Sequence, residues 1–497
     1  MKFIRLSRIS ELTGNGVISG RLDIKITSIC YDSRKAVKNS AFFCLVGALS
    51  DGHDYALDAY ERGCRVFVCE KLPRGFPIRG TKVIIAKQGT RSALADIAAE
   101  FYGHPQNKLK LIGITGTKGK TTVAELSAFV LNKNGIKTGY IGTNGVDFDG
   151  YHFDTPNTTP ESCDLYEYLS MMVSSGVKLA VIEVSSQALM MRRVRGLLFD
   201  TCVYTNLYPD HIGGAEHRDL EHYKYCKKLL FSDYCGRIAL INADSPEAEE
   251  FLSATPFGAI KILCSSEKDA DITAKNIENY RDSDGMGVSF DCITEQWRNR
   301  VTLNFPGKFN VSNALLVIGI CKIYGLSRDE IVDALSVAHV SGRFETYRLG
   351  DVDFVIDYAH NGESLRSVLS VLREYEPSRL ICLFGSVGGR TQMRRAELGK
   401  VAANYADFSI ITSDNPDCEP PENIIADIAE QFDDKESYIG IPDRQEAIVY
   451  AAEIAHPGDI VLLAGKGHEN YQLINGKKVL FSERDILKEL QKETATV

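Results

Sequence analysis

An α/β fold in three domains is what this sequence predicts, and three observations predict it. The chain has 497 residues, too many for one hydrophobic core, so it must divide. Apolar runs of strand length alternate with helix-length stretches along most of the chain, the pattern of mostly parallel sheets covered by helices. Polar, glycine-rich clusters follow those runs, where open α/β sheets gather their ligands. The expected domains are residues 1–106, a small α/β unit; 107–341, a mostly parallel sheet built on a phosphate loop; and 342–497, a Rossmann-like α/β unit.

The central domain is organised around GITGTKGKTT, residues 113–122. Leu109, Leu111 and Ile112 precede it as a buried strand, and a helix-like stretch over 123–131 follows. Glycines let backbone N–H groups converge on phosphate, and the helix N-terminus adds its positive dipole end. The spacing departs from G-x-x-x-x-G-K-[ST]: Ile114 fills the first glycine position, and Gly116 and Gly119 bracket a shorter G-x-x-G-K-T. Lys120 would reach the β- and γ-phosphates, and the Thr121 hydroxyl would join a Mg²⁺ shell.

Residues 1–106 read as short strands at 24–31, 41–46, 66–69 and 83–85, with a helix over 54–62. Ser28, Asp32, Ser33 and Arg34 form one polar cluster there, which composition alone reads as a turn. GHPQNKLK, residues 103–110, carries turn residues and marks the first boundary. Beyond the phosphate loop, the apolar strand 177–184 delivers Glu183 at its end, a candidate Mg²⁺ ligand. The strand 201–204 delivers TNLYPDH, residues 205–211, with His211 at its tip. Before both, the loop TPNTTP, residues 155–160, offers hydroxyls that suit sugar or phosphate. In the last third, strands at 354–357, 380–384, 408–412 and 460–464 each end in a polar cluster: 357–360, 385–390, 414–417 and 465–469. Four such clusters at successive strand ends make a binding face.

Composition narrows the function further. A net charge of −9 argues against a general nucleic-acid or membrane-surface binder. Thirteen scattered cysteines, without a CxxC pair, suggest reduced thiols rather than a disulfide framework or zinc ribbon. The N-terminus, MKFIRLSRIS, lacks an apolar signal core, and no run approaches a membrane span. A cytoplasmic monomer is expected.

Taken in order, TGTKGKTT (115–122), EVSS (183–186), Thr205-Asn206 with Asp210-His211, DYAH (357–360), DNP (414–416) and GKGHE (465–469) resemble the Mur ligases, the ATP-dependent amino-acid ligases of peptidoglycan synthesis. The match spans nearly the whole chain. It is strongest to the branch that adds the third stem residue to UDP-N-acetylmuramoyl-L-alanyl-D-glutamate. The resemblance implies that residues 1–106 bind the uridine nucleotide and that 342–497 bind the amino acid. It implies ATP and Mg²⁺ at Gly116, Thr117, Lys118, Gly119, Lys120, Thr121 and Thr122, with Glu183, His211 and a carbamylated Lys227 completing the metal shell. Lys228 stands beside Lys227 and competes for that register. Adenine, ribose and hinge contacts are implied at Asn310, Asn313, Arg343 and Asp357. Ser28, Asp32, Ser33 and Arg34 would hold the uridine diphosphate; Thr158, Thr159, Ser185 and Arg193 the muramoyl peptide. His360, Arg390, Asp414, Asn415, Asp417, Gly465 and Glu469 would hold the incoming free L-amino acid.

The resemblance departs at Asp417, where the diaminopimelate-adding enzymes carry arginine. An aspartate facing a distal carboxylate loses a charge-assisted partner and gains a like charge. On that argument L-lysine is expected first and ornithine second, with small neutral amino acids or meso-diaminopimelate as alternatives. A folylpolyglutamate synthetase, a catalytically silent nucleotide-binding scaffold and a simple P-loop hydrolase are the other classes to separate.

Overall fold

The computed structural model describes residues 2–14, 23–47, 50–73, 75, 80–210, 212–213, 216–282, 285–389 and 392–494. They form two compact units: residues 1–273 with 313–327, and 274–312 with 328–497.

Three sheets have strands in the first unit. One is four-stranded and all parallel, in the order Ser28–Cys30, Ser40–Phe43, Val66–Cys69, Lys82–Ile85. The expected single strand over 24–31 is two strands. Lys25–Ile26 pairs antiparallel with Ile4–Arg5, and the chain changes partner at Thr27, whose amide donates to Asn39 O. The expected helix over 54–62 is a 3₁₀ turn, Gly52–Tyr55, running into Ala56–Glu61. Asp51 dictates that tight start, because its carboxylate caps the amide of His53.

The largest sheet places the phosphate loop at its centre. Lys110–Thr115 lies between Leu179–Glu183 and Phe199–Tyr204, parallel to both, with Glu183 beside Ile114 and Tyr204 beside Thr115. Thr138–Gly142 lies outside Leu179–Glu183; Cys235–Asn242 and Ile260–Ser265 extend the other edge, all parallel. Five of the six residues of Lys110–Thr115 are buried, and each fully buried Leu or Ile contributes roughly 1.5–3 kcal/mol. The following helix, Lys120–Lys133, starts at Gly119 in the left-handed region. It ends where Gly135 turns left-handed and Ile136 N donates to Leu131 O, a Schellman closure.

The second unit carries a sheet ordered Glu345–Leu349, Val352–Asp357, Ile460–Ala464, Leu380–Phe384, Phe408–Ile411, Tyr438–Gly440. Only the first pairing is antiparallel. The four strands expected from the apolar runs are present. Among the elements not expected is the hairpin Tyr471–Ile474/Lys477–Leu480, whose position matters below. Arg444 braces this unit from inside: fully buried, it donates to Ser413 O, Ala464 O and Glu483 Oε1. It thereby ties the ends of two strands to the last helix. Burial pushes the Glu483 carboxyl up, and Arg444 opposes that shift.

All thirteen cysteines are free thiols, and only Cys418 is exposed. No described helix is long and apolar enough to cross a membrane.

Candidate active site

Three strand ends meet at the phosphate loop, and their side chains hold it in shape. Gly116 has φ +152°, and a Cβ there would lie 1.8 Å from Thr205 Oγ1; only glycine fits. Thr205 Oγ1 donates to Lys118 O at 2.7 Å, and Asn206 clasps the same residue, accepting from its amide and donating to its carbonyl. A Cβ on Gly119 would lie 2.4 Å from Asn313 Oδ1, so the Asn313 amide stands directly against the loop. Thr117 Oγ1 accepts from Tyr208 N and Tyr223 OH. Thr122 is buried in the first helical turn.

Glu183 is fully buried, which demands partners. Tyr140 OH and Thr143 N donate to its Oε1 at 2.7 and 2.9 Å. Thr121 Oγ1 and Thr143 Oγ1 approach Oε2 at 3.0 and 3.3 Å. Thr143 also meets Thr158 Oγ1 at 3.2 Å. Two adjacent oxygen ligands on an octahedral Mg²⁺ stand about 2.9 Å apart, so the 3.0 Å spacing of Thr121 Oγ1 and Glu183 Oε2 fits a hard cation.

Two lysines complete this centre. Lys120 Nζ folds back to donate to Gly116 O and Thr117 O, both at 2.9 Å. Lys227 Nζ, 1% exposed, donates to the same Gly116 O at 2.7 Å and lies over the Tyr223 ring. Burial, reinforced by the charge of Lys120, pulls its pKa well below the ordinary lysine range. Lys228 points elsewhere and pairs with Glu250 at 3.1 Å, so the side chain that reaches the loop is Lys227. His211 lies outside the described residues.

The muramoyl-peptide candidates are linked to Glu183 through backbone. Thr159 Oγ1 donates to Glu183 O at 2.7 Å and accepts from Ser185 N. Ser185 caps the short helix Ser186–Met190. Arg193, buried, is engaged by Glu161 at 2.9 Å and by Thr159 O, and Arg91 binds the other oxygen of Glu161. Further towards the N-terminus, Asp32 caps the Ser33–Lys35 turn and pairs with Arg34. The Arg34 hydrogen bond holds the Asp32 carboxyl below its usual range. Ser33 is buried, whereas Arg34 is exposed and Ser28 opens its strand half-buried.

In the second unit, Asp357 is buried, accepts from Phe344 N and Ala359 N, and is pushed up by burial against the opposing charge of Arg343. Arg343 lies over the Tyr358 ring, and His360 Nδ1 is 2.9 Å from Tyr358 O. Asn310 is buried and donates to Pro306 O. Asn415 and Glu469 are joined both directly, at 3.0 Å, and through fully buried Lys466, which donates to both. Asp414 lies 3.7 Å from that ammonium, and a Cβ on Gly465 would sit 3.3 Å from its Oδ2.

Asp417 has a local role that its sequence position did not suggest. It adopts φ +54° and exchanges backbone hydrogen bonds with Leu473 and Asn475. Its Oδ1 accepts from Gly476 N at 2.7 Å. The carboxylate caps the turn of the 471–480 hairpin, a structural role that the charge argument for lysine did not include. Arg390 lies outside the described residues.

Sequence reasoning missed Tyr140, Thr143, Tyr223 and Lys466 as site residues. Lys466 stood in plain view inside GKGHE; the others carry no local signal.

Three family models match successive stretches of the chain. They describe the catalytic domain of the Mur ligase family over residues 25–102, the Mur ligase middle domain over 114–321, and the Mur ligase glutamate ligase domain over 342–467. The fold is therefore the three-domain α/β arrangement. A UDP-N-acetylmuramoyl-L-alanyl-D-glutamate–2,6-diaminopimelate ligase of Clostridium botulinum is 38% identical over 474 residues, 94% of this chain and 96% of that one. A ligase of the same name from Halalkalibacterium halodurans is 37% identical and covers 99% of both. A solved structure, also of a protein with that name, superimposes with a TM-score of 0.69 at 27% identity and covers 100% of both chains. These relatives are named for diaminopimelate, against the expectation of lysine.

Proposed function

This chain belongs to the Mur ligase family, and from that premise we propose that it adds meso-diaminopimelate as the third stem residue of UDP-N-acetylmuramoyl-L-alanyl-D-glutamate. It is an ATP-dependent ligase of peptidoglycan synthesis, acting on a soluble nucleotide-linked substrate in the cytoplasm. Likeness to diaminopimelate ligases over nearly the full length of both chains supports the amino acid. Gly476 N donates to Asp417 Oδ1, so this carboxylate has a structural role in the hairpin turn that does not require it to face the substrate. The absence of an arginine at that position favours a basic amino acid, L-lysine, as the second reading.

The observation that carries the ligase chemistry is the convergence of Lys120, Thr121, Glu183 and Lys227 on one phosphate loop. A carboxylate is a poor electrophile, so it must be activated. The terminal carboxylate of the D-glutamyl residue attacks the γ-phosphorus of ATP, giving an acyl phosphate and ADP. The amine of the incoming amino acid then attacks the acyl carbon, loses a proton, and phosphate leaves. Lys120 follows the charge on the transferring phosphoryl, and the loop amides fix its position. Thr121, Glu183, His211 and Lys227 as its carbamate would hold Mg²⁺, which when bound neutralises phosphate charge. Lys227 is suited to carbamylation because an uncharged amine adds CO₂, and Lys120 then supplies the counter-charge.

The remaining assignments follow the family. Gly116, Thr117, Lys118, Gly119 and Thr122 bind ATP phosphates, with Asn310, Asn313, Arg343 and Asp357 toward adenine and ribose. Ser28, Asp32, Ser33 and Arg34 bind the uridine diphosphate, and Thr158, Thr159, Ser185 and Arg193 the muramoyl peptide. His360, Arg390, Asp414, Asn415, Gly465 and Glu469 bind the amino acid. We place the domain boundaries at 106/107 and 341/342.

A ligation assay with ATP, the UDP-muramoyl dipeptide and a panel of meso-diaminopimelate, lysine, ornithine, alanine and glutamate decides both levels. The kcat/KM for meso-diaminopimelate should exceed that for lysine; the reverse order establishes the second reading. Phosphate release without dipeptide or amino acid would overturn the ligase assignment.

A further inference from the structure

Beside the phosphate loop, three side chains without a role in the ligation have the chemistry of a transition-metal site. His217 and Cys226 are buried, 2% and 1% exposed, and His222 is half-buried. Their ligand atoms lie within 4.8 Å of one another. The helix Leu220–Ser232 begins where Asp219 caps the amide of His222, so His222 and Cys226, four residues apart, share one face.

His217 Nε2 lies 2.9 Å from Ser186 Oγ. A hydroxyl held against one ring nitrogen orients the imidazole and leaves the other for a metal, the usual outer-sphere arrangement of a ligating histidine. That other nitrogen, Nδ1, is 3.2 Å from His222 Nδ1. Two nitrogens bound to one tetrahedral zinc stand about 3.3 Å apart. Cys226 Sγ is 3.7 Å from His222 Nε2, and one ligand atom from each of the three residues lies within 4.8 Å of the others; closing on an ion requires the His222 ring to turn so that a single nitrogen serves it.

We propose that His217, His222 and Cys226 form a binding site for Zn²⁺ or a similar borderline-soft divalent cation, separate from the oxygen-lined Mg²⁺ position at Thr121 and Glu183. Two imidazoles and a thiolate select such ions, whereas Mg²⁺ demands oxygen. Binding expels the Cys226 thiol proton and takes both imidazoles neutral, with water in the fourth position. The neighbours of the ligands give the site its consequence. Tyr223 follows His222 and donates to Thr117 Oγ1; Lys227 follows Cys226 and donates to Gly116 O. A bound ion therefore pins the two helical turns that support the phosphate loop.

The test titrates Co²⁺, and then Zn²⁺ as competitor, into the chelator-treated full chain in millimolar Mg²⁺. One equivalent should bind, with the visible bands of tetrahedral cobalt and a near-ultraviolet thiolate charge-transfer band. C226S should lose the charge-transfer band, and H222Q should weaken binding by at least about tenfold. Both substitutions preserve size, and circular dichroism checks that each variant folds. The melting temperature should rise with Zn²⁺ in the wild type and not in the double variant. A spectrum of octahedral cobalt, or binding unchanged in both variants, overturns the site and leaves a hydrogen-bonded imidazole pair beside a buried thiol.

Discussion

Lys120 and Lys227 direct their Nζ atoms at a single acceptor, the carbonyl oxygen of Gly116, from 2.9 and 2.7 Å. Two ammonium groups on one oxygen repel, and the buried member yields: the proton affinity of Lys227 falls because of its burial, and the charge of Lys120 adds to the effect. Of the two, Lys227 is the lysine whose proton is held less tightly than that of an ordinary lysine.

Lys227→Met should melt above the wild type at neutral pH in CO₂-free buffer. The unfolded chain carries an ordinary lysine, pKa about 10.4, and stays protonated where the folded chain does not. The unfolded state then binds more protons, so wild-type stability rises with pH from the lowered folded value up to the ordinary one. The advantage of the variant should accordingly shrink as pH approaches about 10. Calorimetry from mildly acidic to alkaline pH reads it; identical curves would mean the buried ammonium is tolerated. Ligation by Lys227→Ala should be severely impaired and partly restored by short-chain carboxylates, whereas Lys228→Ala should remain close to wild type.

Lys120→Ala should lower kcat by at least roughly a hundredfold while leaving the circular dichroism unchanged. Its ammonium donates to Gly116 O and Thr117 O, contacts that it exchanges for phosphate when nucleotide binds, so the fold is not expected to rest on it. Near-normal turnover by the folded variant would remove the phosphate-loop mechanism.

What the sequence discloses here follows the range of the interactions. Gly116, Gly119 and Lys120 were legible because a strand, a turn and a helix start are written in adjacent residues. Glu183 was legible as an acid at the end of an apolar run. Tyr140 and Thr143 were not, because they meet Glu183 only after Thr138–Gly142 pairs with the distant strand Leu179–Glu183. The same holds at Lys25–Ile26, where continuous apolar alternation hid a change of sheet partner at Thr27. His222 and Cys226 raised no signal because the spacing of isolated residues says nothing until His217 folds back onto their helix.

Gly116→Ala should destabilise the first unit by about 1–3 kcal/mol and cost ligation more than it costs stability. The new methyl would stand 1.8 Å from Thr205 Oγ1 at φ +152°. Thr205 must then release Lys118 O, the contact that shapes the loop. Thr205→Ala should relieve part of the stability loss without restoring activity. Full recovery of turnover in the double variant would show that loop shape is not what the methyl disturbs.

Asp417→Asn and Asp417→Ala separate two roles for one carboxylate. If Asp417 serves the hairpin, the useful atom is Oδ1 as an acceptor for Gly476 N. Asparagine keeps that acceptor and tolerates the left-handed backbone at φ +54°. The asparagine variant should therefore match the wild type in melting temperature and in the ratio of kcat/KM for meso-diaminopimelate and lysine. Alanine loses the cap and strains the backbone, a loss of about 1–2 kcal/mol. It should also raise KM for the amino acid, because the hairpin is docked beside Asn415, which accepts from Leu473 N and joins Glu469. Substrate preference should stay fixed in both variants. A shift of the ratio toward meso-diaminopimelate in the asparagine variant would instead place the charge of Asp417 against the substrate and restore the argument for lysine.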